Sequence, residues 1–345
     1  MTRALETTRV QRTVNPVRVA LALVAILSVA LPARGEAIRI GVLKLASYCP
    51  SFVAQERGYF AAAGLEAALV LFVTAEPIAV AVASGDLDIG TAGISAGLYN
   101  LAGQGELRII AAGAREAPGY PDIAVVASNR ASEDGLTALS DLAGRSFAFS
   151  QIGSPTHYGL GRIAEKYGID LTGLRLLPLQ TIPNQVVAVV RGQADAGIIP
   201  ATAVMPALTR GEVQLLGWLG DVAPFQAGVA FVSSRTADER SDLVERYLVA
   251  FRRGSRDCHD AFSSADEQRR DGKTAPEILA ILAKYTGQPD ALLRLGIAYE
   301  DAGARLDVQD IERQVAWFRG QNLVKPGEDG AMIIDRRYAV PLPER

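Results

Sequence analysis

The strongest constraint on this chain is a short run that occurs twice. Residues 74–90 read Thr-Ala-Glu-Pro, then an apolar Ile/Ala/Val stretch, then Ser-Gly-Asp-Leu-Asp-Ile-Gly. Residues 181–197 read Thr-Ile-Pro-Asn-Gln, then a Val/Ala stretch, then Arg-Gly-Gln-Ala-Asp-Ala-Gly. Proline lacks the N–H that a helix's first turn leaves unpaired, so it opens a helix. Glycine accepts positive φ, so it closes one. β-Branched residues favour strands, but the Pro and Gly brackets decide for a helix in each copy. The residues after each turn, 88–91 and 195–199, read as short buried strands, so each unit is strand end, helix, turn, strand.

The likeness extends outward. Pro50 faces Pro155, Gly64 faces Gly168, Pro77 faces Pro183 and Gly85 faces Gly192, all 104 to 107 residues apart, and the run 38–42 faces 145–149. Landmarks in one order at nearly one offset describe a duplicated half rather than unrelated helix starts. Strands are expected at 38–43, 66–72, 88–91, 107–112, 123–128, 146–150, 174–179, 195–199, 213–216 and 228–233. The expected fold is α/β, with two doubly wound lobes joined by a two-segment hinge. Lobe one spans 36–122 and 234–345. Lobe two spans 123–233, bracketed by the apolar strands 123–128 and 228–233 as hinge segments. Leu243, Tyr247 and Phe251, then Ile311, Val315 and Phe318, keep helical spacing. These last helices are expected to pack on lobe one, with Trp317 and Phe318 in its core.

Residues 1–35 stand apart. Arg3, Arg9, Arg12 and Arg18 precede an apolar run of 13 residues, 19–31. That is too short to cross a bilayer and suits a signal-peptide core. Small residues at Ala33, Gly35 and Ala37 place cleavage within 33–37, and no Cys lies there for a lipid anchor. The expected destination is a bacterial periplasm, and the expected state is a monomer. The 345 residues are 49% hydrophobic, ample for two lobes. Without 1–35 the chain carries 30 basic and 37 acidic side chains and no basic run, which argues against a nucleic-acid partner. Cys49 and Cys258 would be able to pair in an oxidising compartment, but nothing in their spacing supports it, and they are expected to be free. His157 and His259 have no Cys/His cluster around them, so no metal site is expected.

Catalytic signatures are missing: no Gly-x-Ser-x-Gly elbow, no His-Glu-x-x-His pair, no Gly-x-x-x-x-Gly-Lys phosphate loop. Neither enzymatic activity nor a cofactor is expected. The chemistry is expected where Pro50, Pro77, Pro155 and Pro183 begin helices after parallel strands. Ligands of open α/β sheets sit there, facing unpaired N–H groups. Short hydroxyls flank these starts: Ser47, Ser51, Thr74, Ser150, Ser154, Thr156 and Thr181. Each reads either as an ordinary N-cap or as a donor to ligand. The stretch 153–158, with Ser154, Thr156 and His157, is the leading candidate. Tyr48, Tyr120 and Trp218 offer aromatic walls. Lys44 and Arg115 are the basic side chains placed to reach a cleft, and Glu76 and Glu116 the acidic ones. An Arg115 counter-charge would favour a sulfonate or carboxylate. Inward-facing Glu76 and Glu116 would favour an amine or a hydrogen-bonding heterocycle. Of the two, a sulfonate or carboxylate with an organic tail is the favoured expectation, with a pyrimidine-like or aromatic ligand second.

Several stretches resemble one family. Pro50-Ser51-Phe52-Val53-Ala54-Gln55-Glu56-Arg57-Gly58-Tyr59-Phe60 with Gly64-Leu65 resembles the opening of the periplasmic binding proteins for nitrate, taurine and alkanesulfonates, whose superfamily includes binders of thiamine-pyrimidine precursors. Ala83–Gly90 in full, Ala-Ser-Gly-Asp-Leu-Asp-Ile-Gly, and Leu139-Ser140-Asp141-Leu142-Ala143-Gly144-Arg145 are similar to two further segments of that family. The resemblance implies a type II periplasmic binding protein that delivers a small molecule to an ABC permease and its ATPase. Carried onto this chain, it implies ligand loops at 45–48, 74–76, 93–95 (with Ser95), 150–157, 181–184 and 200–202 (with Thr202). A fungal enzyme that makes the thiamine pyrimidine shares this fold, but its cysteine-rich iron motif is missing here. A periplasmic sensor subunit remains the other alternative.

Overall fold

The computed structural model describes residues 35–326 and 333–343. The signal segment expected at 1–35 lies outside the described residues except for Gly35. The first lobe contains β1 (Glu36–Leu43), α1 (Cys49–Glu56), β2 (Leu65–Phe72), α2 (Glu76–Ser84), β3 (Ile89–Gly93), α3 (Ala96–Gly103) and β4 (Leu107–Ala112). The two-residue strand β5 (Arg115–Glu116) leads across to β6 (Ile123–Ser128), β7 (Ser146–Phe149), α4 (Pro155–Tyr167), β8 (Arg175–Pro178), α5 (Ile182–Val190), β9 (Ala196–Pro200), α6 (Ala201–Thr209) and β10 (Val213–Trp218). The strand β11 (Phe225–Gln226) leads back to β12 (Gly228–Ser233), and α7 (Ser241–Phe262), α8 (Ala275–Thr286) and α9 (Val308–Gly320) follow.

The duplication is visible in the topology. One sheet has the order β2-β1-β3-β12-β4 and the other β8-β7-β9-β6-β10. β1 pairs parallel with β2 and β3, as β7 does with β8 and β9, and the fourth strand of each sheet is antiparallel to its neighbours. All four prolines sit in the first turn of their helices. Gly85 and Gly168 end α2 and α4 at φ 83° and 66°, where a Cβ would be costly. Even the turn aspartates match. Asp88 accepts the Arg39 N–H at 2.8 Å and Asp195 accepts the Ser146 N–H at 2.8 Å. Each satisfies a backbone N–H of the parallel strand that its lobe's other parallel strands flank, Arg39 within β1 and Ser146 at the start of β7.

Three expectations need correction. First, Gly228–Ser233 does not close the second lobe: β12 lies between β3 and β4 in the first sheet. Each sheet takes as its fourth strand the first long strand formed after the chain crosses. A buried antiparallel insertion and a buried lobe-closing strand are both short apolar runs, so the sequence pattern does not separate them. The crossing segments are instead the short β5 and β11, which pair with each other through Phe225↔Glu116 and Gln226↔Arg115. Second, α7 and α8 pack on α1 as expected, but α9 reaches both lobes. Its Trp317 seats on Gly161 of α4, where a Cβ would overlap the indole. Tyr99 of α3 donates to Gln314 at 3.2 Å, and Asp310 accepts the Gln226 N–H at 2.8 Å.

Third, Cys49 and Cys258 are not free. They form a disulfide between α1 and α7, with Cα atoms 6.2 Å apart. The two helices come this close because Gly254, one turn before Cys258, leaves room for the Pro50 carbonyl that a Cβ would overlap. A pairing across 209 residues leaves no trace in local spacing.

Candidate functional site

A cavity of about 150 Å³ lies between the lobes, at the carboxyl ends of both sets of parallel strands. The first lobe contributes the loops after β1, β2 and β3. The second contributes the loops after β7 and β8 and the end of β9. The crossing ribbon supplies Glu116 and Phe225. This is where ligands sit in doubly wound sheets, since the strand ends of each lobe diverge there. The Ala96 N–H donates to the Gly153 carbonyl at 2.8 Å, so the start of α3 meets the loop before α4 across the cleft.

Six of the expected site residues line the cavity: Ser47, Tyr48, Thr74, Ser95, Ser154 and Thr156. Several of these hydroxyls are also caps. Ser154 accepts the His157 N–H at 3.2 Å, and its Oγ lies 2.9 Å from Thr156 Oγ1, which lies 2.9 Å from Ser150 Oγ. Ser95 accepts the Leu98 N–H at 3.1 Å and donates to Glu76 at 3.2 Å. These two serines cap their helices and also line the cavity.

The other six do not line it. Glu76 lies over the first turn of α3, where its carboxylate covers Gly97. Arg115 forms a 2.8 Å ion pair with Asp307. The Tyr120 hydroxyl lies 2.7 Å from Ser263 Oγ, and its ring meets Tyr299 edge-on at 5.2 Å. His157 is buried between Phe149 and Trp317, and its Nδ1 accepts the Gly153 N–H at 3.1 Å. Burial pushes its imidazolium pKa down to about 4, so the ring is neutral near pH 7. Thr181 caps α5 through the Asn184 N–H at 3.4 Å. Thr202 is buried on α6 against Gly296.

Two acidic side chains face the cavity, and no Lys, Arg or His lines it among the described residues. Glu116 is 2% exposed and its Oε2 has no hydrogen-bond partner. Asp122 accepts from Ser47 Oγ at 3.1 Å. Burial and the Asp122 charge hold the Glu116 carboxyl well above the usual range, and burial raises Asp122 less, since Ser47 and Glu116 donate to it. Glu116 is thus the protonated member. Gln185, 1% exposed, also lines the cavity, together with Gln180. Gln180 stands at φ 64°, a left-handed conformation that non-glycine residues adopt at a cost and that concentrates at functional sites. The sequence weighs an inward-facing Glu116 as favouring an amine or heterocycle, marks residue 122 only as the end of the first lobe, and singles out neither glutamine. The adjacency of Arg115 and Glu116 was the one available sign that a charge would face the cleft.

Two like-built α/β lobes enclosing a cavity at their strand ends define a periplasmic-binding-protein fold. The chain belongs to the NMT1/THI5-like family, whose profile matches residues 46–261. Its structure is similar to the alkanesulfonate-binding protein SsuA from Xanthomonas axonopodis pv. citri bound to MOPS, with a TM-score of 0.68 and 21% identity over 88% of this chain and 99% of that one. It is also similar to the periplasmic aliphatic sulphonate binding protein SsuA from Escherichia coli, with a TM-score of 0.68 and 18% identity over 90% and 94% of the two chains. The periplasmic nitrate-binding protein NrtA from Synechocystis PCC 6803 follows at 0.64 and 13%, over 88% and 86%. At these identities the likeness is one of fold. No curated protein matches the chain by sequence.

Proposed function

We propose that the mature chain is a periplasmic solute-binding protein, acting as a monomer, that closes its lobes over a small organic molecule and presents it to an ABC permease and its ATPase. The observation that carries this reading is the cavity between two duplicated lobes, at the strand ends of both, with the chain crossing between them through the paired β5 and β11 and α9 touching both lobes. The amino-terminal segment and the disulfide both suit an exported protein. The reading includes no turnover. His157 is neutral, and its Nδ1 already serves the Gly153 N–H.

The cavity's charge favours the amine or heterocycle reading over the sulfonate or carboxylate one. Arg115, the anchor an anion would need, is spent on Asp307. The test is protein exported to the periplasm of a Gram-negative host and purified without denaturation. Native mass spectrometry should find an exchangeable small molecule that returns chemically unchanged, and its removal should enlarge the radius of gyration. A bound molecule that is converted on incubation would overturn the reading, as would preparations that never carry or accept a small molecule.

A further inference from the structure

We propose that the ligand is a compact amine, held as an ammonium by the carboxyl pair Glu116 and Asp122, with an apolar body about the size of one ring. The inference rests on the solute-binding reading and names the chemistry of that same cavity.

Strand alternation places the charge. Neighbouring residues of a strand point to opposite faces. On β5, Arg115 turns to Asp307 at 2.8 Å, and Glu116 turns into the cavity. Asp122 enters from the other end of the same crossing segment, held by Ser47. The free Glu116 Oε2 is a buried acceptor awaiting a donor. Gln185 brings a further buried polar side chain to the same cavity. An ammonium carries three donors and no acceptor, which matches two carboxyls and an amide oxygen. No three His, Cys, Asp or Glu side chains are grouped to hold a metal ion among the described residues, which leaves an organic cation. The remaining walls include Leu43, Ile123, Ile182, Leu219 and Phe225. An apolar cavity of roughly this volume admits a benzene ring.

The proton balance follows from the pair. In the free protein Glu116 donates its proton to Asp122. An arriving ammonium replaces that O–H···O bond with N–H···O bonds to two carboxylates, and the Glu116 proton leaves to solvent. The groups facing the pair are the Tyr48 and Ser47 hydroxyls and, beyond Asp122, the buried Glu300. Both Tyr48 and Glu300 are pushed up by burial and stay uncharged. Affinity therefore rises with pH while the amine itself remains protonated.

The experiment is calorimetric titration with benzylamine, benzyl alcohol and benzenesulfonate, at pH 6 and pH 8, in buffers of two ionisation enthalpies. Benzylamine should bind, tighter at pH 8, releasing more than one proton at pH 6, where Asp122, pushed up to about 6, is itself partly protonated. Glu116→Gln should weaken it by about tenfold or more and reduce the release by about one proton. Its circular dichroism should be unchanged, because the amide copies the neutral acid. Asp122→Asn should weaken it likewise. Benzenesulfonate or benzyl alcohol binding more tightly than benzylamine overturns the inference and leaves the solute-binding reading standing. So does benzylamine binding that both variants leave intact. Binding of none of the three also overturns it, and the native mass spectrum then decides separately whether the chain carries a solute at all.

Discussion

Replacing Cys49 and Cys258 together by Ala tests the link from sequence to compartment. The bond closes a loop across 209 residues, for which the chain-entropy relation gives about 5 kcal/mol at 25 °C. Measured losses are usually smaller, because the unfolded chain retains structure and α1 still packs on α7, so a loss of roughly 2–4 kcal/mol is expected. Ala is preferred to Ser, because both positions are buried, at 4% and 2% exposure, and a new hydroxyl would need a partner. A folded unit of Glu36–Arg345 has an unfolding entropy near 0.65 kcal/mol/K, at roughly 2.1 cal/mol/K per residue. The midpoint should therefore fall by only about 3–6 °C. Scanning calorimetry with and without reductant gives the readout. The parent should drop to the variant's value when reduced, and the variant should not respond. If the oxidised, denatured parent titrates two thiols, or the variant melts with the parent, the disulfide reasoning is wrong.

Three further outcomes are expected. Gly161→Ala drives a Cβ into the Trp317 indole and should cost about 1–3 kcal/mol, read by denaturant unfolding; an unchanged midpoint would mean that α9 does not seat on α4. Gly153→Ala places a Cβ 3.0 Å from Ala96 Cβ, at φ 81°, across the cleft. The left-handed φ alone should cost the ligand-free protein about 1–2 kcal/mol, read by denaturant unfolding, and the added crowding against Ala96 should weaken ligand binding further; an unchanged midpoint would refute the conformation assigned to residue 153. The last concerns pH. Glu116, pushed up by burial and Asp122, favours the folded state below the ordinary carboxylate range and loses that contribution as pH rises. His157, pushed down to about 4, contributes above its ordinary value near 6.5 and loses that contribution as pH falls towards 4. Between pH 7 and 9 only the Glu116 contribution changes of these two. The ligand-free parent should lose stability there more steeply than Glu116→Gln, and parallel slopes would refute the assignment.

The fold was legible wherever a local cause sufficed. Pro50, Pro77, Pro155 and Pro183 mark helix starts because a missing N–H costs nothing there. Gly85 and Gly168 mark ends because only they take positive φ without strain. Repetition of such marks at one offset then exposed the duplication. What stayed hidden depended on distant partners. The place of β12 is fixed by pairing with β3 and β4, more than a hundred residues upstream. The disulfide depends on Gly254 letting two helices meet. The reach of α9 to the second lobe depends on Gly161, which in sequence is one more small residue in a helix.

The site divides along the same line. Hydroxyls at strand ends are placed by topology, so Ser47, Thr74, Ser95, Ser154 and Thr156 were legible. The charge was not, because it turns on one register. Arg115 and Glu116 are adjacent in a two-residue strand, and a shift of one residue would exchange their faces. The register is held by the Arg115 N–H, which donates to the Tyr299 carbonyl at 2.9 Å. It is held also by Gln226, fully buried, whose Nε2 lies 3.0 Å from the Gly113 carbonyl, 3.2 Å from that of Ala114 and 2.8 Å from that of Gly228. Asp310, on α9, accepts the Gln226 N–H, and Asp307, the N-cap of the same helix, takes the Arg115 guanidinium. A helix reached only after two crossings thus decides which of two opposite charges faces the cavity. In this chain, the charge at the cavity is set by the register of two adjacent residues on a crossing strand rather than by the composition of the loops around the cleft.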